Sequence, residues 1–425
     1  MKIYAKNYCE HLDYKKDDLF LENIKCTKLA KNYGTPTYCY SVNEIRNRFL
    51  LFKDKLKELN PLILFAMKSN YNPNIISILS NLGCGVDVVS KGEIEIALSA
   101  GVCPKKIVFS GVGKTDEEIT FALKKNILQL NVESIEELVE IEKLSKKYKK
   151  KIEISLRVNP DIDANTHKKI STGNYGDKFG IPHENIIDIF KTFKNNENVK
   201  INGLAIHIGS QIIEINPFKK AFKKLRKIVK SLKKNKFNIK KIDLGGGIGI
   251  NYSNNKVICL DEYKNQIKKN FSDLNVEIIL EPGRFLVGPA GILLTKVIRV
   301  KNVDNQKFLI LDSGMNDLIR PSMYNAYHEI LPVKLTKKKI TKYDVVGPIC
   351  ESGDIFAKNR GLFEIKKGDL LAICSVGAYG TCMTSYYNCR TPPKEILIDG
   401  SKSINTKITK SVGDFYNNEI QRNAK

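Results

Sequence analysis

Eight short β-branched or apolar runs, each followed by apolar residues at helical spacing, constrain this chain more than any other feature. The runs are Leu62–Lys68, Gly85–Ser90, Ile107–Gly111, Leu128–Val132, Ile154–Asn159, Gly203–Gly209, Lys241–Gly246 and Glu277–Gly283. Helical patterns such as Pro73–Leu82, Glu93–Ala100, Asp116–Lys125, Ile135–Tyr148 and Pro217–Leu232 lie between them. Short buried strands alternating with helices build parallel βαβ units. Eight such units close into a (β/α)8 barrel of TIM type, whose βα loops converge at the C-terminal ends of the strands. Chemistry is therefore expected at Lys68, Ser90, Gly111, Asn131, Asn159, His207, Gly245–Gly247 and Glu281.

At 425 residues the chain exceeds a minimal barrel of about 250 residues, so a second domain is expected. After Arg284 the pattern changes to short strand-like runs separated by Gly, Pro, Asp and Asn, which reads as a β-rich barrel or sandwich. The expected fold class is α/β: a TIM-like barrel plus a C-terminal β-rich domain that also takes the N-terminal segment. The expected division is an N-terminal segment over 1–35, the barrel over 36–285 and the β domain over 286–425.

No uninterrupted apolar run reaches the roughly 18 residues of a membrane helix, and the N-terminus lacks a signal-peptide core. A soluble, cytoplasmic protein with no membrane partner is expected. The ten cysteines show no CxxC spacing, so reduced thiols are expected, with no disulfide and no metal site. A net charge of +24 ordinarily suggests a polyanionic partner. Here the lysines are spread along the whole chain among abundant Asn and Ile, the pattern of a compositional drift, and no nucleic acid is expected. An anionic substrate or cofactor still gains from the field.

Each strand-end motif has a functional and a plain reading. In Phe65–Asn70, a lysine at the end of an apolar strand is suited to Schiff-base chemistry with an aldehyde cofactor; strand-end lysines are also ordinary rim residues. In His207–Gln211, an imidazole can stack on a flat ring and Ser210 can donate to a phosphate, or the histidine is a satisfied core residue. The glycines of Asp243–Gly249 follow strand 7, where barrels often bind phosphate, although glycine turns are common. Glu281, in Glu281-Pro282-Gly283-Arg284, can keep a pyridine nitrogen protonated and so make the ring an electron sink, or simply pair with Arg284. In the second domain, Arg320 suits a carboxylate and Glu351 an ammonium, while Cys350 reads equally as a small buried hydrophobe.

Taken together, FAMKSN, DVVSKGE, RVNPDIDANTHKKISTG, KFGI, HIGSQ, GGGIGI, EPGR, DSGMNDLIRPSMYNAYH, GPICESGD, GAYG and YNCR resemble the fold-type III pyridoxal-phosphate decarboxylases, in that family's order from about Thr35 to Gly400. Within the family the resemblance is to the enzymes acting on meso-diaminopimelate. It implies pyridoxal 5'-phosphate as cofactor, Lys68 as its covalent anchor and His207 as the group stacked on its ring. Gly247, Gly283, Ser210 and Arg284 would hold its phosphate, and Glu281 its ring nitrogen. Arg284, Arg320, Tyr324 and Glu351 are implied substrate contacts, with Tyr379 near both cofactor and substrate. Cys350 or the released Lys68 would reprotonate the α-carbon. Cys350 and Glu351 resemble residues delivered across a homodimer interface, giving two shared sites. The implied reaction removes carbon dioxide at the D centre and yields L-lysine, the last step of lysine biosynthesis.

Related decarboxylases acting on carboxynorspermidine, ornithine or arginine are the nearest alternative. An ornithine enzyme binds only a distal amine and typically resembles CD rather than Cys350-Glu351, whereas diaminopimelate needs an acid and a base at its distal end. A racemase of the same fold type would need a tyrosine as second base. A catalytically dead homologue would be expected to have lost Lys68 or Cys350. Lys91, Ser69 and Arg390-Thr391-Pro392-Pro393 depart from the family pattern without removing a residue assigned to chemistry.

Overall fold

Parallel strands need both faces covered, and their sequences here are accordingly near-continuous apolar runs. In the computed structural model, which describes residues 5–164, 167, 169, 172–173, 176–253, 257–336 and 339–406, those runs form eight parallel strands. They are Leu62–Ala66, Gly85–Val88, Ile107–Phe109, Gln129–Val132, Ile152–Asn159, Val199–Ala205, Lys241–Asp243 and Glu277–Leu280. Each pairs with the next, and Ile279 pairs with Leu62, so the sheet closes into the expected barrel. Leu64, Val108 and Ile279, all buried, pack together inside it. Within the DANTHKKISTG block, Asn165, Thr166, Lys168, Ile170 and Ser171 lie outside the described residues, as do residues 407–425 of the expected β domain.

The strand ends differ from the sequence reading for local reasons. Strand 1 stops at Ala66 because Met67–Ser69 coils into a 3-10 turn. Strand 2 stops at Val88, and Ser90 becomes an N-cap that accepts a hydrogen bond from Glu93 N. Strand 6 begins earlier than expected, at Val199, with a register shift between Ile201 and Gly203. Glycine leaves room at the shift, since a Cβ on Gly203 would lie 2.1 Å from Ser155 Oγ and force that hydroxyl to turn away.

Several helices start on a side-chain cap: Asn72, Ser90, Ser134, and the reciprocal pair Thr115 and Glu118. Such caps satisfy backbone N–H groups that the first turn leaves without helical partners. The helix Asn216–Lys234 buries Phe218, Phe222, Leu225, Val229 and Leu232. Phe222 meets Tyr263 and Phe271 of the helix Leu260–Phe271 edge to face, at centroid distances of 5.9 and 5.8 Å.

The chain divides into two compact units, the barrel unit over Arg48–Ile250 and Lys256–Leu286, and a second unit over 1–47, 251–255 and 287–425. The second unit is a β structure built around the long strand Gly291–Val303, which pairs with Thr37–Ser41, Gln306–Leu311 and Leu370–Ile373. A small sheet of Leu12–Lys15, Asp18–Leu21 and Ile24–Lys25 contributes Leu12, Leu19 and Leu21 to one core with Ile292, Leu294, Ala372 and Ile396. None of the ten cysteines is in a disulfide. Burial pushes the Cys26 thiol up to about 12, which leaves it an inert apolar side chain. No helix among the described residues is long and apolar enough to cross a membrane.

The aromatic cluster yields a stability prediction. Phe222 is fully buried, and Phe222→Ala should cost about 3–5 kcal/mol through lost burial and the cavity left behind. Denaturant unfolding would measure this, and an unchanged midpoint would contradict the packing described.

Candidate active site

The turn after strand 1 is fixed by its own polar atoms. Ser69 Oγ donates to Ala66 O at 2.7 Å, and Asn70 Oδ1 accepts from Asn72 N at 2.9 Å. Between them Lys68 is half-buried, and its Nζ lies 3.2 Å from Oδ2 of the fully buried Asp87 on strand 2. A buried carboxylate thus holds the amine at the C-terminal end of the barrel. Desolvation at the strand end is thus offset by an ion pair with a residue 19 positions away, which the local sequence around Lys68 does not reveal.

Around the same end of the barrel, the ends of strands 6, 7 and 8 approach closely and stay paired beyond the regular sheet. Ile206 N donates to Asp243 O at 2.9 Å, Glu281 N to Gly245 O at 2.8 Å, and Ala66 N to Pro282 O at 3.3 Å. Only glycine fits there: a Cβ on Gly246 would lie 2.1 Å from Glu281 O, and Gly247, at φ +100°, would put one 2.5 Å from Gly209 O. Gly246 N donates to His207 Nδ1 at 3.3 Å, which leaves the ring proton on Nε2. Desolvation, then the charges of Lys68 and Arg157, hold the imidazole pKa well below its usual range. The result is a neutral, flat ring. Arg284 is buried and its Nη2 donates to Ser210 Oγ at 3.0 Å. Gly283 packs against Ser69 and Ala66.

Glu281 and Asp243 are buried in hydrogen-bond contact with each other. Glu281 Oε1 has no hydrogen-bond partner among the described residues. Desolvation raises the pKa of both groups, and the negative charges of Asp243 and Asp87 push that of Glu281 further.

Further ion pairs surround these groups, between residues that no local sequence pattern links. Arg157 Nη1 donates to Glu133 Oε1 at 2.6 Å, and the same carboxylate accepts from Gly111 N at 3.2 Å and Gly180 N at 2.9 Å. Lys114 Nζ donates to Gly111 O, Asn131 O and Glu137 Oε1 at 2.7, 2.8 and 2.6 Å. These nearly buried ions tie together the loops after strands 3, 4 and 5. The signal was available: Asp87 and Arg157 are charged residues inside otherwise apolar strands, and such residues need partners. Lys91, which departs from the family pattern, pairs with Glu117 at 2.5 Å.

Lys68, His207, Ser210, Gly247, Glu281, Gly283 and Arg284 are thus brought to one end of the barrel unit. Arg320, Tyr324, Cys350, Glu351 and Tyr379 belong to the β unit. There, Arg320 and Tyr324 occupy the helix Arg320–Tyr324. Arg320 Nη1 donates to His328 Nε2 at 2.6 Å and its guanidinium lies 4.8 Å from the Tyr252 ring centre. Cys350 and Glu351 are exposed; Cys350 N donates to Asn388 Oδ1 at 3.2 Å and Glu351 accepts from Tyr387 Oη. Tyr379 has φ +56°.

An amine beside a buried carboxylate, a neutral flat imidazole, a glycine-lined turn and a buried carboxyl oxygen awaiting a donor fit one kind of ligand: a flat, phosphorylated pyridine aldehyde. The barrel and this donor set define a pyridoxal-type enzyme. A family model described as pyridoxal-dependent decarboxylase, pyridoxal binding domain, matches residues 42–288. The chain belongs to the pyridoxal-dependent decarboxylase family, and its cofactor is pyridoxal 5'-phosphate. A diaminopimelate decarboxylase of Aquifex aeolicus (strain VF5) is 42% identical over 395 residues, 93% of this chain and 94% of that one. The crystal structure of diaminopimelate decarboxylase from Helicobacter pylori, complexed with L-lysine, has a TM-score of 0.89 and 41% identity, covering 93% of this chain and 99% of that one. That of diaminopimelate decarboxylase from M. jannaschi has a TM-score of 0.92 and 34% identity, covering 96% and 98%.

The crowding at Gly246 gives a direct test. Gly246→Ala should weaken cofactor retention by at least about tenfold, or 1.4 kcal/mol, because the new methyl displaces the backbone carrying Glu281. Titration with pyridoxal phosphate, followed by visible absorbance, checks this; wild-type affinity would show that the glycine turn is not part of the cofactor site.

Proposed function

We propose that the protein decarboxylates meso-2,6-diaminopimelate to L-lysine and carbon dioxide, as the last step of lysine biosynthesis in the cytoplasm. The observation that carries this reading is the likeness, across more than nine-tenths of the chain, to proteins named diaminopimelate decarboxylase. The distal end of this substrate bears both an ammonium and a carboxylate, and the chain offers an acid and bases for them.

In this reading, Lys68 Nζ anchors the cofactor and Asp87 keeps that amine in place. The neutral His207 ring packs against the flat face of the cofactor without adding a charge. Backbone N–H groups at Gly247 and Gly283, with Ser210 and Arg284, bind the phosphate. Glu281 faces the ring nitrogen and keeps a proton there. When bound, pyridoxal phosphate supplies the electron sink that accepts the pair left on the α-carbon as carbon dioxide departs. Arg284, Arg320 and Tyr324 bind substrate carboxylate and hydroxyl-accepting groups, Glu351 takes the distal ammonium, and Tyr379 contacts cofactor and substrate. Cys350, or Lys68 once released, returns a proton to the α-carbon. Cys350 and Glu351 are supplied by the second subunit of a homodimer.

The test is carbon dioxide release from meso-diaminopimelate by the reconstituted enzyme, with L-ornithine and L-arginine in parallel. Release from diaminopimelate alone, with lysine as product, is expected. Release only from another amine substrate would overturn the assignment of Glu351 and Arg320. Lys68→Ala should abolish turnover and the change in cofactor absorbance that accompanies covalent attachment to the lysine. Mixing equal amounts of Lys68→Ala and Cys350→Ala subunits should restore about a quarter of wild-type activity, because half the dimers become hybrid and each hybrid has one intact site. No recovery despite proven subunit exchange would refute delivery across the interface.

A further inference from the structure

Asp243, at the end of strand 7, is fully buried, and no step above uses it. Its two oxygens are both held as acceptors: Gly245 N donates to Oδ1 at 2.9 Å and Asn131 Nδ2 to Oδ2 at 3.0 Å. The Asn131 amide cannot turn round without loss. Its Oδ1 accepts from Gln129 Nε2 at 3.0 Å while its Nδ2 also reaches Ser110 Oγ at 3.1 Å. Asp243 is therefore built to be an anion. Glu281, in contact with it, has no comparable donors, and Oε1 has no partner among the described residues.

When a donor-rich carboxyl touches a donor-poor one out of water, the pair keeps a proton and the donor-poor member carries it. The hydrogen bond between them accordingly lowers the pKa of Asp243 and raises that of Glu281. The other charged groups acting on Glu281 are Asp87, which also favours the proton, and the Lys68 ammonium, which opposes it. His207 is held neutral, and Tyr263, whose own pKa is pushed up by burial and Asp243, adds no charge.

We propose that Asp243 is a positioning residue for the cofactor ring: hydrogen-bonded to Glu281 and fixed as an anion by Asn131 and Gly245, it keeps a proton at the site shared by Glu281 and the ring nitrogen. With the cofactor bound, the proton that Glu281 holds would pass to the ring nitrogen, and the Glu281 carboxylate, with the Asp243 charge behind it, would hold it there. This rests on the cofactor site proposed above and adds to it a second carboxylate that does not touch the ring.

The test uses holoenzyme loaded with pyridoxal phosphate carrying ¹⁵N in the ring, the nitrogen shift being followed against pH. In the wild type the nitrogen stays protonated through the neutral range. Asp243→Asn should lower the pH at which that proton is lost by about two to three units, the effect of removing a unit charge roughly 4–6 Å away at an effective dielectric constant near 20. Should that variant fold poorly, Asn131→Asp with Asp243→Asn keeps one carboxylate and one amide in the buried pair but moves the charge away from Glu281. It should shift the titration in the same direction. A wild-type titration in this exchanged pair, or in Asp243→Asn, would overturn the proposal and reduce Asp243 to a packing role. Glu281→Gln separates the two ideas. If the nitrogen remains protonated in Glu281→Gln, the reading that Glu281 faces the ring has failed. If it is deprotonated there while Asp243→Asn behaves as wild type, only the role of Asp243 falls.

Discussion

Closure of the parallel barrel between Ile279 and Leu62 is the constraint on which the rest of the barrel unit depends. A parallel sheet left open would place its first and last strands far apart with unpaired edges. Closed, it sets Lys68 and Glu281, which are distant in sequence, on adjacent strand ends. The pairing even runs past the regular strands, through Ala66 N to Pro282 O and Glu281 N to Gly245 O. The groups that act on a cofactor are therefore held by backbone hydrogen bonds of the barrel itself, which supports them more rigidly than a free loop could.

That rigidity has an electrostatic cost. Lys68, Asp87, Asp243 and Glu281 are polar or ionic groups gathered where the barrel strands end, three of them buried. Burying charge is unfavourable unless each group finds a partner. Two devices offset the cost: the ion pair of Lys68 with Asp87, and the hydrogen-bonded contact of Asp243 with Glu281. The polar atom left over, Glu281 Oε1, is where an incoming donor gains most. Around them the pairs Arg157–Glu133 and Lys114–Glu137 fasten the loops, so the outer ions stabilise the geometry of the inner ones.

Strand and helix periodicity made the barrel legible from sequence because each βαβ unit is local: apolar run, cap, helix. The helix Asp116–Lys125 is bounded as its pattern indicates, by the Thr115 cap and by Asn126 in a left-handed conformation. The strand ends were less legible. Lys68 and Ser90 continue an apolar run in sequence, yet turn and cap chemistry takes both out of the sheet. The polar core of the site was the least legible, since Asn131, Asp243 and Glu281 are joined only by barrel closure, and nothing near any of them in sequence names its partner. Charged residues within apolar strands marked that partners existed without saying which.

The net charge of +24 has little purchase on this chemistry. The helix Asn216–Lys234 carries lysine and arginine as its only charged residues, and several of these are engaged at the surface, as Arg226 is with Asp273 and Lys219 with Glu262. Exposed charges of this kind are screened over about 8–10 Å at ordinary ionic strength. The state of Glu281 and Asp243 is set instead by contacts of about 3 Å in a desolvated interior, where a single neighbouring carboxylate outweighs many distant lysines. The surface can therefore drift toward lysine, changing solubility and the attraction of anionic ligands, while buried pairs keep the proton inventory of the site. The sequence composition and the site chemistry are separable for that reason: one is written on the outer face of the helices, the other at the ends of the strands.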